Sequence, residues 1–339
     1  MNRMFLSALL LLPRPAQAAW ETQQTSAGAN ISFRAVQAVS ASVVWIGGSG
    51  GTILRTLDGG KTWEKRNVPG AEQLDFRGVA AFDANTAIAT AAGEAEKGLA
   101  KIYRTTDGGN HWQLVFQTEQ KGVFFDGVAF WDRSNGLVLS DPPDGKWFIL
   151  NTTDGGQTWN RLAPDKWPAM LPGESAFAAS NSSLLLQGDS HAWIASGGGN
   201  RARVFHSTDR GQSWQVSDTP MPSGASSGIF GLRFLDAKRG IAVGGDHKKE
   251  NAPLQNVIIT TDGGLTWQNG TPTDPPGLKE SIVMLPENTL LAVGPSGTSL
   301  SKDFGKSWQK IDQSGLHAAS TFEAHCWAVG GKGLVAKWR

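Results

Sequence analysis

One eight-residue pattern, Ser/Thr-x-Asp-x-Gly-x-x-Trp, limits what this chain can fold into more than any other feature. It occurs six times, at 56–63, 105–112, 152–159, 207–214, 260–267 and 301–308. Its aspartates are Asp58, Asp107, Asp154, Asp209, Asp262 and Asp303, spaced by 49, 47, 55, 53 and 41 residues. It closes on Trp63, Trp112, Trp159, Trp214, Trp267 and Trp308. A self-similar period of that length is the mark of a repeat architecture. Each box has the chemistry of a hairpin turn. The Asp side chain accepts from backbone N–H groups a few residues on, the Gly supplies a positive φ without steric cost, and the Trp folds back over the hairpin as a large apolar cover.

The flanks supply the strands. A strand-like run precedes a box at Thr52–Arg55, Lys101–Arg104 and Val257–Ile259, and another short one follows it, as at Trp63–Arg66. Further upstream, an apolar run ends in Gly at Val43–Gly48, Gly240–Gly245, Leu290–Gly294 and Cys326–Gly331. Before that, a strand opens at Phe33, Phe76, Phe125 and Phe230. Four short strands, a to d, in each unit of roughly 40–50 residues describe a β-propeller blade. A seventh unit, from about Leu316 to Lys337, lacks strand d, and Ala19-Trp20-Glu21-Thr22 matches the Thr62-Trp63-Glu64-Lys65 after a box. The expectation is an all-β fold: a seven-bladed β-propeller of four-stranded antiparallel blades. Its ring is closed by the N-terminal strand completing the C-terminal blade, with residues 19–339 as one domain.

Residues 1–18 read as a signal peptide, with Arg3 before an apolar Met4–Leu12 and a small-x-small site ending at Ala18. A periplasmic or secreted location follows. No later run approaches the ~20 apolar residues of a membrane span. Charged residues are 18% of the chain and the net charge is +1, which argues against a nucleic-acid binder. The single Cys326 excludes an internal disulfide and dithiol exchange. The glycine-rich turns at 47–51 and 197–199 open no helix that would hold a phosphate, and the six His show no paired ligand spacing. Neither a cofactor nor a metal is expected.

These boxes resemble those of Asp-box (BNR) propellers. With its Phe-Arg-x-Val openings and Thr-Asp-Gly-Gly-x-Thr-Trp boxes, the chain is similar to the photosystem II stability/assembly factor family and its relatives in non-photosynthetic bacteria. That resemblance implies a seven-bladed exported scaffold acting by protein contact. Sialidases are similar in their boxes but need an Arg triad, a Phe-Arg-Ile-Pro motif and a Tyr nucleophile. Here Phe33-Arg34 is followed by Ala-Val, and the only Tyr, Tyr103, sits in strand c just before a box.

In such a propeller the boxes lie on the face of the a–b and c–d turns, so the b–c and d–a loops share the other. Long b–c loops are read at Ser140–Trp147, Ser196–Arg203 and Gly245–Pro253 in blades 3, 4 and 5, and the longest d–a loop at Arg161–Ser175. Loops on a rigid scaffold concentrate function. The candidate partner-binding residues are therefore Trp147 and Trp167, carboxylates Asp141, Asp144, Glu174 and Asp246, donors Arg201 and Arg203, and Arg34, Arg77 and Asp126 near the channel mouth. The bland alternatives are that each Trp pins its own loop and that the loop charges are merely solvated. The leading reading is a monomeric scaffold for a protein partner, possessing no catalytic residues and aiding assembly or stability of a membrane or envelope complex. The alternative is a carbohydrate-binding glycoside hydrolase, which needs two of Asp141, Glu174 and Asp246 facing one pocket, about 5–10 Å apart.

Overall fold

Strand pairing in the computed structural model, which describes residues 20–165, 167–253, 255–270 and 275–339, gives seven four-stranded sheets. The 1–18 signal segment lies outside the described residues. Within a blade the strands follow chain order and pair antiparallel, as in blade 3: Phe125–Phe130, Gly136–Ser140, Phe148–Thr152 and Asn160–Arg161. Blade 7 takes Leu316–Phe322, His325–Gly330 and Val335–Trp338, then Trp20–Thr22 as its outer strand. That strand sets Trp20 opposite Trp338 and Thr22 opposite Ala336. The Trp20 and Trp338 rings meet edge to face at 5.3 Å, and Trp20 Nε1 donates to Thr298 Oγ1 of blade 6 at 2.9 Å. The expected ring closure is therefore observed.

The apolar strands b are buried along their length because a blade is packed on both faces. Val44–Gly48 and Gly136–Ser140 have no exposed position. The core lies between blades. Ile88 of blade 2 meets Val138, Leu150 and Trp159 of blade 3, and Leu137 of blade 3 meets Ile194, Phe205 and Trp214 of blade 4. Each box Trp thus seals its blade against the preceding one.

The box geometry explains its sequence. In blade 1, Asp58 Oδ1 accepts from the Thr62 N–H at 2.9 Å and from Thr56 Oγ1 at 2.8 Å, while Oδ2 accepts from Thr62 Oγ1 at 2.6 Å. Gly60 N–H donates back to Thr56 Oγ1 at 2.9 Å. The same set recurs at Asp154, Asp209, Asp262 and Asp303, and in blade 2 His111 Nδ1 replaces the second hydroxyl against Asp107 at 2.6 Å. These donors hold the Asp107 and Asp154 carboxyls down at about 2. The box glycine has a packing reason too: a Cβ on Gly156 would lie 2.6 Å from Ile88 Cδ1.

Five innermost strands share a bulge in which one residue is skipped in the ladder to strand b, the second residue in four of them and the fourth in the blade 5 strand Ser227–Phe234. The skipped residues are Arg34, Arg77, Asp126, Phe230 and His317. Blades 4 and 6 depart from this pattern, their inner strands starting only at Leu184 and Ser281.

Candidate partner-binding face

In five blades the bulge places one side chain at the channel mouth on the b–c and d–a side. Arg34, Arg77 and Asp126 are therefore brought together, as the sequence suggests, along with His317 and Phe230. Blade 6 contributes the buried Glu280 in the same position, just before its strand Ser281–Leu285. Glu280 accepts from His317 Nδ1 at 2.6 Å and faces Arg34 Nη1 at 3.6 Å.

The residues that would have begun strand a of blade 4 instead enter the mouth and close it. Phe177 stacks on Phe230 with centroids 4.0 Å apart and planes 2° apart. Ala178 O accepts from Arg77 Nη1 and Ala179 O from Arg34 Nη1, both at 3.3 Å. Ser180 Oγ donates to Glu280 O at 2.6 Å. Asn181 is the keystone: its Oδ1 accepts from the Val128 N–H at 2.8 Å, and its Nδ2 donates to Val128 O at 3.1 Å and Val79 O at 3.4 Å. It adopts the left-handed conformation, φ 59°, which Asn tolerates better than most residues.

Beside this plug lies a pair of buried carboxyls. Asp126 is raised well above the usual carboxylate range, first by burial and then by the charge of Asp141. Burial pushes Asp141 up to about 7, against a hydrogen bond from the Ala176 N–H. Asp126 Oδ2 and Asp141 Oδ1 have no hydrogen-bond partner among the described residues. The Arg77 charge opposes the rise in Asp126, and Arg77 is itself bound through Nε to Asp75 Oδ2 at 2.7 Å.

The long loops are held from within. Arg203 Nε donates to Glu174 Oε1 at 2.9 Å, its Nη2 reaches Glu174 Oε2, and Nη2 also donates to Ala169 O at 2.9 Å. Ser196 Oγ and the Leu171 N–H complete the carboxylate's shell at 2.6 and 2.8 Å. Trp147 is 1% exposed and packs edge to face on Phe205; Trp167 is 5% exposed and donates Nε1 to Gln212 O at 3.1 Å. Both indoles thus occupy the loop-pinning position rather than an open surface.

The remaining candidates stand on the rim, each with its own neighbour. Asp144 accepts from Gln120 Nε2 at 3.0 Å, Arg201 pairs with Asp218, and Asp246 accepts from Ser226 Oγ at 2.7 Å and the Lys248 N–H at 2.9 Å. The Ser226 hydroxyl is the main cause of the lowered Asp246 pKa. Asp141, Glu174 and Asp246 therefore each keep a different set of partners. Tyr103 packs edge-on against Phe76 at 5.9 Å, and burial raises its phenol.

Sequence reasoning missed Glu280, His317, Phe177 and the plug, as well as a further long b–c loop in blade 2 built around the turn Ala95–Lys97. His317 was within reach, because Leu316-His317-Ala318 repeats the spacing of Phe33-Arg34-Ala35.

This architecture defines the class: a seven-bladed propeller whose channel is plugged at its loop face. No family model matches the chain. In sequence and fold it resembles the photosystem II stability/assembly factors. It is 26% identical over 306 residues to photosystem II assembly lipoprotein Ycf48 of Picosynechococcus sp., covering 76% of this chain and 80% of that one. It is also 26% identical over 254 residues to a xyloglucanase of Acetivibrio thermocellus, covering 65% of this chain but only 28% of the length of that relative. The solved structure described as YCF48 bound to D1 peptide superposes with a TM-score of 0.65 at 16% identity, over 96% of this chain and 98% of that one. At such identity the structural likeness shows the fold. Among the described residues no helix is long and apolar enough to cross a membrane.

Proposed function

We propose that this chain is an exported scaffold that binds a protein partner on its b–c and d–a loop face, as an assembly or stability factor for a membrane or envelope complex. The observation that carries the reading is how that face is built. Its longest loops are fixed from inside by the Glu174–Arg203 pair and by Trp147 and Trp167, while Arg201, Lys248 and Lys249 stand exposed. A surface ordered before association loses less entropy on binding. The likeness to assembly factors, one of them solved with a D1 peptide, supports the same reading. Export rests on the pattern of residues 1–18.

The test compares partner capture by the wild-type protein, by a loop-face variant (Arg201→Glu with Lys249→Glu) and by a box-face variant (Lys61→Glu with Lys238→Glu). Charge reversal on the loop face should weaken capture about tenfold or more, with the box-face variant unaffected. Equal capture by all three would move the site elsewhere. The carbohydrate-active alternative draws support from the xyloglucanase likeness; release of reducing ends from xyloglucan, abolished by Asp141→Asn, would replace the scaffold reading.

A further inference from the structure

The other end of the channel is open. A funnel of about 570 Å³ enters between the a–b turns, lined by the later halves of the inner strands, and ends on Ser180–Ser182 of the plug. Arg233, in the blade 5 strand Ser227–Phe234, lines this funnel. Its Nε is buried without a hydrogen-bond partner, and no carboxylate pairs with it among the described residues.

That isolation is unlike the treatment of the other arginines that are buried or half-buried. Arg55 is bound by Glu64 at 2.7 Å, Arg203 by Glu174 and Arg77 by Asp75. The charged groups nearest the funnel rim are already engaged: Asp132 accepts from the Ser134 and Asn135 N–H groups at 2.7 and 2.8 Å, and Arg133 pairs with Asp83 at 2.9 Å. A half-buried cation without a counter-charge carries a desolvation cost, and burial lowers the proton affinity of this guanidinium.

We propose that the funnel is a binding site for a small monocarboxylate, with Arg233 as its anchor. The planar guanidinium fork matches the two oxygens of a carboxylate. One positive charge balances one negative charge. Ser320 also lines the funnel, and its Oγ accepts from the Ala38 N–H at 3.0 Å, which leaves the hydroxyl proton free to donate. Thr321 and Gln37 add polar groups to the wall, and the volume suits a small organic ligand. The site is at the opposite end of the channel from the loop face, so its fate is independent of the partner-binding reading.

The experiment uses the full chain and a panel of acetate, propionate and benzoate, with benzamide and inorganic phosphate as controls, read by thermal unfolding and calorimetry. The wild-type Tm should rise with carboxylate concentration and not with benzamide. Arg233→Met should melt at or above wild type without ligand, because an unpaired half-buried charge has gone, and should bind carboxylates about tenfold or more weakly. Should that variant fail to fold, the Arg233 Nε–H resonance of the wild-type protein reads the same contact and must shift with carboxylate. No response to any carboxylate, an equal response in Arg233→Met, or a response to phosphate alone would overturn the assignment.

Discussion

Arg203 and Glu174 form a two-pronged ion pair beneath the loop face, their side chains 8% and 0% exposed. Arg203 ends the b–c loop of blade 4 and Glu174 lies in the loop that joins blades 3 and 4, so the pair ties two connections into one body. Removing either partner strands a buried charge. Arg203→Ala or Glu174→Ala should cost about 3–5 kcal/mol in chemical unfolding. The Arg203→Met/Glu174→Leu double variant should recover much of that loss. A single variant costing under about 1 kcal/mol would show that the loops hold without the pair.

The Asp126–Asp141 pair gives stability a slope with pH. A carboxyl whose folded pKa is raised binds its proton more tightly folded than unfolded, so it disfavours the folded state as pH climbs. With Asp141 at about 7, stability should fall between about pH 4 and pH 7 and stay reduced above that. Asp141→Asn should exceed wild type by on the order of 2 kcal/mol at pH 8. The advantage should vanish near pH 4, as followed by urea midpoints across pH.

The box aspartates work in the opposite sense. Their folded pKa values are depressed, so the stability they add is present above the usual carboxylate pKa and is lost as pH falls toward about 2. Asp154→Ala removes acceptors for both Thr158 groups and for Thr152 Oγ1. Because the turn is largely open to water, the cost should be only about 1–2 kcal/mol. It should also shrink in acid, which denaturation at pH 7 and at about pH 2.5 separates.

Asn181 holds the plug in place through three side-chain hydrogen bonds. Asn181→Ala should release the Val128 amide, which donates to the Asn181 side chain at 2.8 Å. Hydrogen exchange at Val128 should speed up about tenfold or more, with the strands b unaffected. Unchanged protection would mean that Phe177 on Phe230 suffices to seat the plug.

The fold was legible because its determinants are local. A box needs only Thr, Asp, Gly and Trp within eight residues, and the match between Trp20-Glu21-Thr22 and a post-box strand betrays the ring closure without any knowledge of distances. The face is harder for a physical reason. Glu174 and Arg203 are 29 positions apart, and nothing in either neighbourhood says that one neutralises the other. A loop tryptophan such as Trp147 reads the same whether it faces solvent or Phe205. The plug was hidden because nothing in Phe177-Ala178-Ala179 tells that these residues leave the blade for the channel mouth, and only packing shows where they go. The channel-mouth residues Arg34, Arg77 and Asp126 were found because the bulge follows the Phe by one step, and the same step leads to His317.

The outer strand of blade 7 has a kinetic consequence. Trp20–Thr22 is made before any blade, yet its ladder partner Val335–Trp338 is made last, and its indole reaches Thr298 across 278 positions of chain. Contacts so distant in sequence form late and slowly. A nascent chain can stack six blades while its first strand stays single, and the ring locks only when the final hairpin arrives. Clasping is therefore the last act of folding, and until then the edges of blades 7 and 1 remain open to other chains.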